Sequence, residues 1–131
     1  MNNGASTAGA TGAKAQNASW PDGYGRQVFD SVDSTLSEAA RQASALTGST
    51  WILAQEQTAA RGRRGRSWAT PRGNFAATLM MRRSESPSTA ALRSFVASLA
   101  LRRAFVATTR DEGAFTLKWP NDVLLNGGKV A

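Results

Sequence analysis

The chain has 131 residues and a formal net charge of +7, and it contains neither cysteine nor histidine. These absences exclude disulfide scaffolds, Cys/His zinc sites, cysteine nucleophiles and Ser-His-Asp triads. Any chemistry therefore depends on Lys, Arg, carboxylate or amide side chains, on backbone N–H groups, or on a bound metal. The positive charge favours anionic partners, which include nucleic acid, membranes and phosphorylated small molecules, without choosing among them.

Residues 1–19 are predicted to be a disordered tail. After Met1 they include no aromatic or large aliphatic side chain up to about residue 18. Such a segment buries too little apolar surface to offset the entropy of ordering it. It also lacks the apolar stretch of a signal peptide, and no run of about 18 apolar residues suggests a membrane span. Residues 20–131 remain for one domain with a modest core.

The first half of this domain is predicted to run strand, helix, strand, loop, strand. Thr35 and Glu38 fit a capping box at the start of the helix, and Gly48 fits its end. The apolar runs flanking the arginine-rich loop have the length of strands. The predicted elements are a strand at 27–30, a helix at 34–46, strands at 50–55 and 75–81, and the loop at 56–74.

The second half is predicted to contain a helix, a strand and a hairpin. Apolar residues within 90–108 recur mostly at spacings of three and four, which predicts an amphipathic helix. A strand at 114–119 is followed by a break at Pro120 and by a hairpin at 122–131, whose second strand is very short. The order β-α-β-loop-β-α-β-β predicts an α+β, or mixed α/β, fold: a mixed sheet with helices packed on it. The apolar stripe of the helix consists of Leu92, Phe95, Val96, Leu99, Phe105 and Val106.

Residues 61–68 read RGRRGRSW, with four arginines, two glycines and no carboxylate. Glycine lets a ligand approach the backbone, and arginine presents a planar fork of donors to phosphate or carboxylate oxygens. The pattern predicts a cationic loop that folds over an anion. A disordered basic linker and a nucleic-acid tether are the alternatives. The position between two strands and the apolar surface of Trp68 weigh against both.

A second cluster, KWPND, occupies 118–122. Pro120 interrupts the strand, so Lys118, Asn121 and Asp122 should be presented at a sheet terminus. A lysine, an amide and a carboxylate together can position an anion and a metal. Taken alone, the segment is better explained as a Pro-Asn-Asp turn with a solvated Lys118. Two charge-bearing clusters in one small domain favour a functional site.

Together, QTAARGRRGRSW at 57–68 and KWPNDVLLNGGKVA at 118–131 resemble the catalytic domain of biotin protein ligases. The segment DSTLSEA at 33–39 resembles the Asp-Ser-Thr-Asn segment that precedes the family's first helix. Two positions depart from the family pattern. Ala60 replaces the first glycine of the loop, and Leu36 replaces the asparagine after Ser-Thr.

The resemblance implies ATP-dependent ligation of biotin to a lysine of the biotin carboxyl carrier protein of acetyl-CoA carboxylase. Biotinyl-5′-AMP would be the intermediate, with biotin and ATP, accompanied by Mg²⁺, as substrates. This chemistry requires positioning and charge neutralisation rather than a covalent enzyme intermediate. The resemblance further implies a cytoplasmic, monofunctional enzyme that binds neither a membrane nor specific nucleic acid. Residues 20–131 would be the amino-terminal portion of its catalytic domain.

The resemblance also implies roles for individual residues. Lys118, near the biotin carboxylate and the α-phosphate, and Arg63 would be catalytic, and no residue is expected to hold a resident metal. Asn121 and Asp122 would support Lys118 or the Mg²⁺ of ATP. The biotin-binding residues would be Ser34, Thr35, Gln57, Arg61, Gly62, Arg63 and Lys118. The residues binding ATP or the adenylate would be Arg64, Gly65, Arg66, Trp68, Asn121 and Asp122.

Three alternatives remain open at this point. A lipoate-type ligase or transferase shares the fold and the mixed-anhydride chemistry, although the arginine loop favours biotin. A basic nucleic-acid-binding module would account for the net charge. Finally, the 131-residue chain by itself is expected to be inactive, because the family sequence continues with further strands.

Overall fold

The computed structural model describes residues 20–131, apart from the side chain of Arg63, so the predicted tail lies outside the described residues. Two compact units are present, one ending at Met81 and the other beginning at Arg82. Within the described part of the chain, no helix has the length and apolar character needed to cross a bilayer. The elements are β1 (Gly25–Phe29), α1 (Thr35–Gln42), β2 (Thr50–Ala54), β3 (Ala76–Met80), α2 (Pro87–Ala91), α3 (Arg93–Thr109), β4 (Phe115–Lys118), β5 (Asp122–Leu125) and β6 (Gly128–Lys129).

The first unit is built on a mixed three-stranded sheet in the order β1-β2-β3. Strand β1 pairs in parallel with β2, and β2 pairs antiparallel with β3. Helix α1 connects the two parallel strands and packs against β2 and β3. Alternate residues of β2 are buried, with Ile52 fully enclosed, because successive side chains of a strand point to opposite faces. The predicted mixed α/β architecture is confirmed.

The predicted capping box at the start of α1 is wrong. Ser34, not Thr35, caps the helix: its backbone is extended and its hydroxyl accepts a 3.4 Å hydrogen bond from the N–H of Ser37. Thr35 already lies inside the helix, where its N–H and hydroxyl both donate to Gln57. Glu38 consequently does not reach back to a cap, and its carboxylate accepts a hydrogen bond from Gln42 instead.

Two helix boundaries also differ from the predicted ones. Helix α1 ends at Gln42, before the predicted end at 46. The helix predicted at 90–108 is two helices, because α2 begins at Pro87 and α3 follows it after Leu92. Proline at the first helical position is pre-set for helix formation, and the Ser86 hydroxyl caps α2. The helical region therefore begins three residues before the predicted start at 90.

The second unit is an antiparallel sheet in the order β4-β5-β6, with α3 packed on β4 and β5. Phe105 of α3 stacks on Phe115 of β4 at a centroid distance of 5.2 Å, and Val123 is fully buried. The hairpin between β5 and β6 turns at Asn126 and Gly127, both with positive φ, as the sequence predicts. The strands thus divide between two sheets, a division that was not predicted.

Much of the predicted apolar stripe of α3 is exposed. Leu92, Val96 and Leu99 are 58%, 65% and 50% exposed, so their assignment to the buried face is wrong. A 17-residue helix is about 25 Å long, whereas the four-residue strands β4 and β5 each span about 13 Å. The strands of the small sheet are therefore shorter than the helix that packs on them, and Phe105 of that helix stacks on Phe115 of β4.

Candidate functional site

The start of α1 and the base of the arginine loop are held together beyond the carboxyl ends of β1 and β2. The carbonyls of Val32 and Asp33 accept hydrogen bonds of 2.8 Å from the N–H groups of Thr58 and Ala59. On the other side, the N–H of Gln57 donates to the Thr70 carbonyl at 3.3 Å. The carboxyl ends of parallel strands are the usual ligand-binding edge of an α/β sheet.

A hydrogen-bond network joins Gln57 to three threonines at this edge. The backbone N–H of Thr35 can only donate, so the Gln57 atom 2.8 Å away must be its oxygen. The Thr35 hydroxyl, 3.1 Å from the same oxygen, must therefore also donate to it. Since that hydroxyl has one hydrogen, the 2.9 Å contact between Thr35 and Thr78 is donated by Thr78. The Gln57 amide nitrogen donates to Thr70 at 3.3 Å.

This count shows which hydrogen-bond donors and acceptors of the network remain available to a ligand. Thr35 retains a lone pair and no hydrogen, so it can act only as an acceptor. Gln57 retains one N–H, so it can act only as a donor. Ser34 and Thr35 are 8% and 4% exposed, which places both hydroxyls beneath the surface. The network is therefore suited to a ligand group that carries an N–H donor and an acceptor close together.

The arginine loop is an ordered hairpin. Arg61 and Ser67 form an isolated antiparallel β-bridge, and the N–H of Gly62 donates to the carbonyl of Arg66 at 2.7 Å. Its tip is a short 3₁₀ turn over Arg63–Gly65, where Arg64 has a φ of 60°. Below the tip, the N–H of Trp68 donates to the carbonyl of Ala60 at 3.0 Å. Both arms of the hairpin thus rise from the sheet edge that holds Thr35 and Gln57.

The hairpin concentrates cations that lack a carboxylate partner. The side chains of Arg61, Arg64 and Arg66 are exposed and form no hydrogen bond or ion pair within residues 20–131. By contrast, Arg72, just past the hairpin, binds both carboxylate oxygens of Asp30 at 2.9 and 2.8 Å. Unpaired guanidinium groups on one hairpin form an electropositive surface suited to phosphate or carboxylate oxygens.

Arg41 on α1 clamps the segment that leads into the helix. Two of its nitrogens bind the two oxygens of Asp33 at 3.0 and 2.7 Å, and it also binds Glu38. The N–H of Ser34 donates to Asp33 as well, at 2.7 Å. The hydrogen bonds from Arg41, and then from Ser34, lower the pKa of Asp33 from its usual 3.8 to about 2.

Replacing Asp33 with asparagine should destabilise the protein at neutral pH more than at acidic pH. A carboxyl group whose pKa is depressed on folding stabilises the fold above its unfolded pKa, and this contribution is lost between about pH 4 and pH 2. Urea unfolding of the wild type and of Asp33→Asn should therefore give midpoints that converge as the pH falls through this range. Arg41→Met should show the same convergence. A difference between midpoints that stays constant with pH would contradict a stabilising ion pair between Arg41 and Asp33.

Leu36 and Ala60, the two departures from the family pattern, lie in different settings. Leu36 is exposed and lines a groove of about 300 Å³ between α1 and β3, which also includes Thr78. Ala60 is buried at the base of the hairpin, where only its carbonyl is used. The leucine therefore places an apolar side chain beside the polar network.

The second unit carries the KWPND cluster at the end of β4. The side chain of Lys118 is exposed and forms no ion pair or hydrogen bond in the described structure, and Trp119 is 80% exposed. A cis peptide bond joins Trp119 to Pro120. Asp122 accepts a 2.9 Å hydrogen bond from Lys129, while Asn121 is exposed. The described residues contain no cluster of three or more side chains able to hold a metal ion.

The predicted site residues are thus present in two groups. In the first unit, Ser34, Thr35 and Gln57 share one sheet edge with the hairpin 61–68. In the second unit, Lys118, Asn121 and Asp122 share the turn between β4 and β5. Sequence reasoning missed four residues that support the first group: Asp33, Arg41, Thr70 and Thr78. Of these, only Asp33 carried a sequence signal, because it begins the segment DSTLSEA.

Comparisons with known proteins identify the family of the chain. Residues 27–131 match the Biotin/lipoate A/B protein ligase family. The chain is 54% identical over 100 residues to a biotin–[acetyl-CoA-carboxylase] ligase of Paracoccus denitrificans. The aligned part is 76% of this chain and 42% of that ligase.

Solved structures of biotin protein ligases share the fold. The enzyme of Aquifex aeolicus, in complex with biotin and ATP, superposes with a TM-score of 0.70 at 28% identity, covering 81% of this chain and 44% of that one. The enzyme of Leishmania major, in complex with biotinyl-5-AMP, superposes with a TM-score of 0.68 at 28% identity, covering 84% and 50%. The chain thus spans half or less of the length of these relatives. Since the family match extends over most of the sequence, the chain belongs to the Biotin/lipoate A/B protein ligase family.

Proposed function

We propose that the protein attaches biotin to a lysine of a biotin carboxyl carrier protein of acetyl-CoA carboxylase at the expense of ATP. The observation that carries this proposal is the hairpin of unpaired arginines rising from the sheet edge that holds Thr35 and Gln57. A cationic hairpin beside a donor-acceptor pair suits a ligand with a polar ring at one end and a phosphate at the other. The relatives in complex with biotin, ATP and biotinyl-5-AMP support the same assignment.

The proposed reaction has two steps. A carboxylate oxygen of biotin attacks the α-phosphorus of ATP, and pyrophosphate leaves as the P–O bond breaks. The lysine amine of the carrier protein then attacks the acyl carbon of biotinyl-5′-AMP, loses a proton and releases AMP. Neither step needs a nucleophile from the enzyme, so positioning and charge stabilisation supply the catalysis. Mg²⁺ enters as part of the ATP substrate, and the reaction takes place in the cytoplasm.

The proposal gives each group of residues a part in this reaction. Ser34, Thr35 and Gln57 hold the ring of biotin, while Arg61, Gly62 and Arg63 cover biotin and the adenylate. The tip and far arm of the hairpin contact the nucleotide through Arg64, Gly65, Arg66 and Trp68. Lys118 acts near the carboxylate and the α-phosphate, with Asn121 and Asp122 beside it.

The donor count at Thr35 and Gln57 favours biotin over lipoate. The cyclic urea of biotin offers N–H groups for the lone pair of Thr35 and a carbonyl oxygen for the N–H of Gln57. The dithiolane ring of lipoate offers neither. A site built to hydrogen-bond a substrate group rejects an analogue that lacks it, because buried polar groups are then left unpaired.

The test is exchange of labelled pyrophosphate into ATP by the full-length protein, measured with either biotin or lipoate as the carboxylic-acid substrate. We expect exchange with biotin and none with lipoate at equal concentration. Exchange with lipoate but not with biotin would assign the protein to the other branch of the family, and exchange with neither acid would refute ligation.

The unpaired arginines also motivate one alternative, a module that binds nucleic acid. It requires binding to random duplex at about 50 mM salt that weakens steeply as salt rises. The same preparation, titrated with labelled duplex, should show no such binding. Duplex binding without pyrophosphate exchange would favour the alternative.

A further inference from the structure

A groove of about 300 Å³ opens between α1 and β3, beside the hydrogen-bond network of the first unit. One wall is a face of α1 that begins with Leu36. Three alanines continue this face at helical spacing, and their small side chains leave the space open: Ala39, Ala40 and Ala43. The opposite wall consists of residues 78–81, in β3 and at its end.

Thr78 belongs to both the groove and the network. It lines the groove, and its hydroxyl lies 2.9 Å from the hydroxyl of Thr35. Because Thr78 donates its one hydroxyl hydrogen to Thr35, this hydroxyl offers the groove an acceptor and no donor. Among the described residues, those that line the groove carry no charge. The groove therefore suits a saturated, uncharged group better than a polar one.

Leu36 brings apolar surface next to the polar network. It directly follows Thr35 in α1, and it is 67% exposed, so the core of the unit depends little on its side chain. A ligand that lies on the network and covers this side chain would remove apolar surface from water, which favours binding.

Charge and hydrogen bonding decide which part of biotin suits this groove. The carboxylate end needs cations, which the exposed arginines of the hairpin supply and the groove lining does not. The cyclic urea uses the lone pair of Thr35 and the N–H of Gln57. What remains is the saturated ring with its thioether sulfur, which carries no charge and no strong hydrogen-bonding group. This ring is the part that can lie against Leu36 while the urea stays on the network.

We propose that Leu36 is a specificity-determining residue of the acid site, where it forms an apolar wall against the thioether ring and disfavours acids that are polar at that edge. A polar group placed against this wall would lose its water without gaining a hydrogen bond, which costs free energy. The inference deepens the proposed function and rests on it for the identity of the acid. Leu36→Asn restores the residue of the family pattern and so provides the direct test.

The test compares the binding of biotin with that of biotin sulfone, by isothermal titration calorimetry on the full-length protein without ATP. Both acids keep the cyclic urea and the carboxylate, so their difference reports on the sulfur edge. The wild type should bind biotin about tenfold or more tightly, because the sulfone oxygens meet Leu36 without a donor. Leu36→Asn offers these oxygens an amide N–H and should reduce the preference about threefold to tenfold, the range of one neutral hydrogen bond.

Two control variants separate the polarity of the wall from other effects. Leu36→Met keeps an apolar side chain of similar volume and should keep the wild-type preference. Leu92→Asn makes the same substitution at an exposed leucine of the second unit and should also leave the preference unchanged. Urea unfolding midpoints of both Leu36 variants should stay close to that of the wild type, because this side chain is largely exposed.

The outcomes separate the inference from the proposed function. The expected change of preference in a protein without biotin-dependent pyrophosphate exchange would support the apolar wall and refute the proposed function. Biotin-dependent exchange together with equal preferences in Leu36→Asn and the wild type would overturn the inference alone. A preference lowered equally by Leu36→Met or by Leu92→Asn would also overturn it, because the polarity at position 36 would then not be the cause. Binding of neither acid would overturn both.

Discussion

The variant Lys118→Ala is expected to lower the rate of biotin-dependent pyrophosphate exchange by about 100-fold or more. An electrostatic group aimed at charge that develops in the transition state contributes about 10² to 10³ in kcat. Lys118 has no carboxylate partner among residues 20–131, so its positive charge is not already neutralised within the protein. The loss should appear mainly in kcat, measured by exchange at saturating biotin and ATP.

A matched control distinguishes this role from the loss of any positive charge. Arg103 is an exposed cation of α3 in the same unit, and its side chain forms no ion pair or hydrogen bond in the described structure. Arg103→Met should leave exchange near the wild-type rate. Exchange by Lys118→Ala at the wild-type rate would remove Lys118 from the mechanism, whatever the control shows.

The strands and helices were predictable because they depend on local patterns. The apolar run at 50–55 and the Asn126-Gly127 turn each carry a signal confined to a few residues, and both features are present in the structure. Helix ends were less predictable. Ser34 and Thr35 are adjacent residues of similar capping ability, and the tertiary bond from Thr35 to Gln57 decides which of them enters the helix.

The partition of strands between two sheets and the exposure of Leu92, Val96 and Leu99 were not predictable by the same means. Both depend on which strands pair and on how much of α3 the sheet covers, and these are long-range properties. Helical periodicity identifies an apolar face but not the area available to cover it.

The candidate site shows the same division between local and long-range signals. The hairpin and KWPND stand out in the sequence because charged residues, glycine and proline are concentrated there. Thr70 and Thr78 complete the Gln57 network, yet isolated threonines in or beside strands carry no sequence signal. Their role follows only from counting donors and acceptors in three dimensions.

The hairpin arginines provide the second large expected effect. The double variant Arg64→Asn/Arg66→Gln should raise the KM for ATP by about 100-fold or more, since two hydrogen bonds to charged groups are lost and each contributes about 1.5–3 kcal/mol. Asparagine is chosen because Arg64 has a φ of 60°, a conformation that asparagine tolerates better than alanine does. The variant should also release biotinyl-AMP faster in a filter-retention assay.

Arg72 supplies the control for the hairpin because its guanidinium is already bonded to Asp30. Arg72→Gln removes an equal kind of charge from the same segment and should change the KM for ATP by less than about twofold, as expected for an exposed ion pair. If any positive charge near the loop were sufficient for ATP binding, Arg72→Gln would raise the KM for ATP as much as the single variants Arg64→Asn and Arg66→Gln do. If the unpaired arginines contribute specifically, only the hairpin variants should weaken ATP binding. Added salt should then weaken ATP binding to the wild type more than to the double variant.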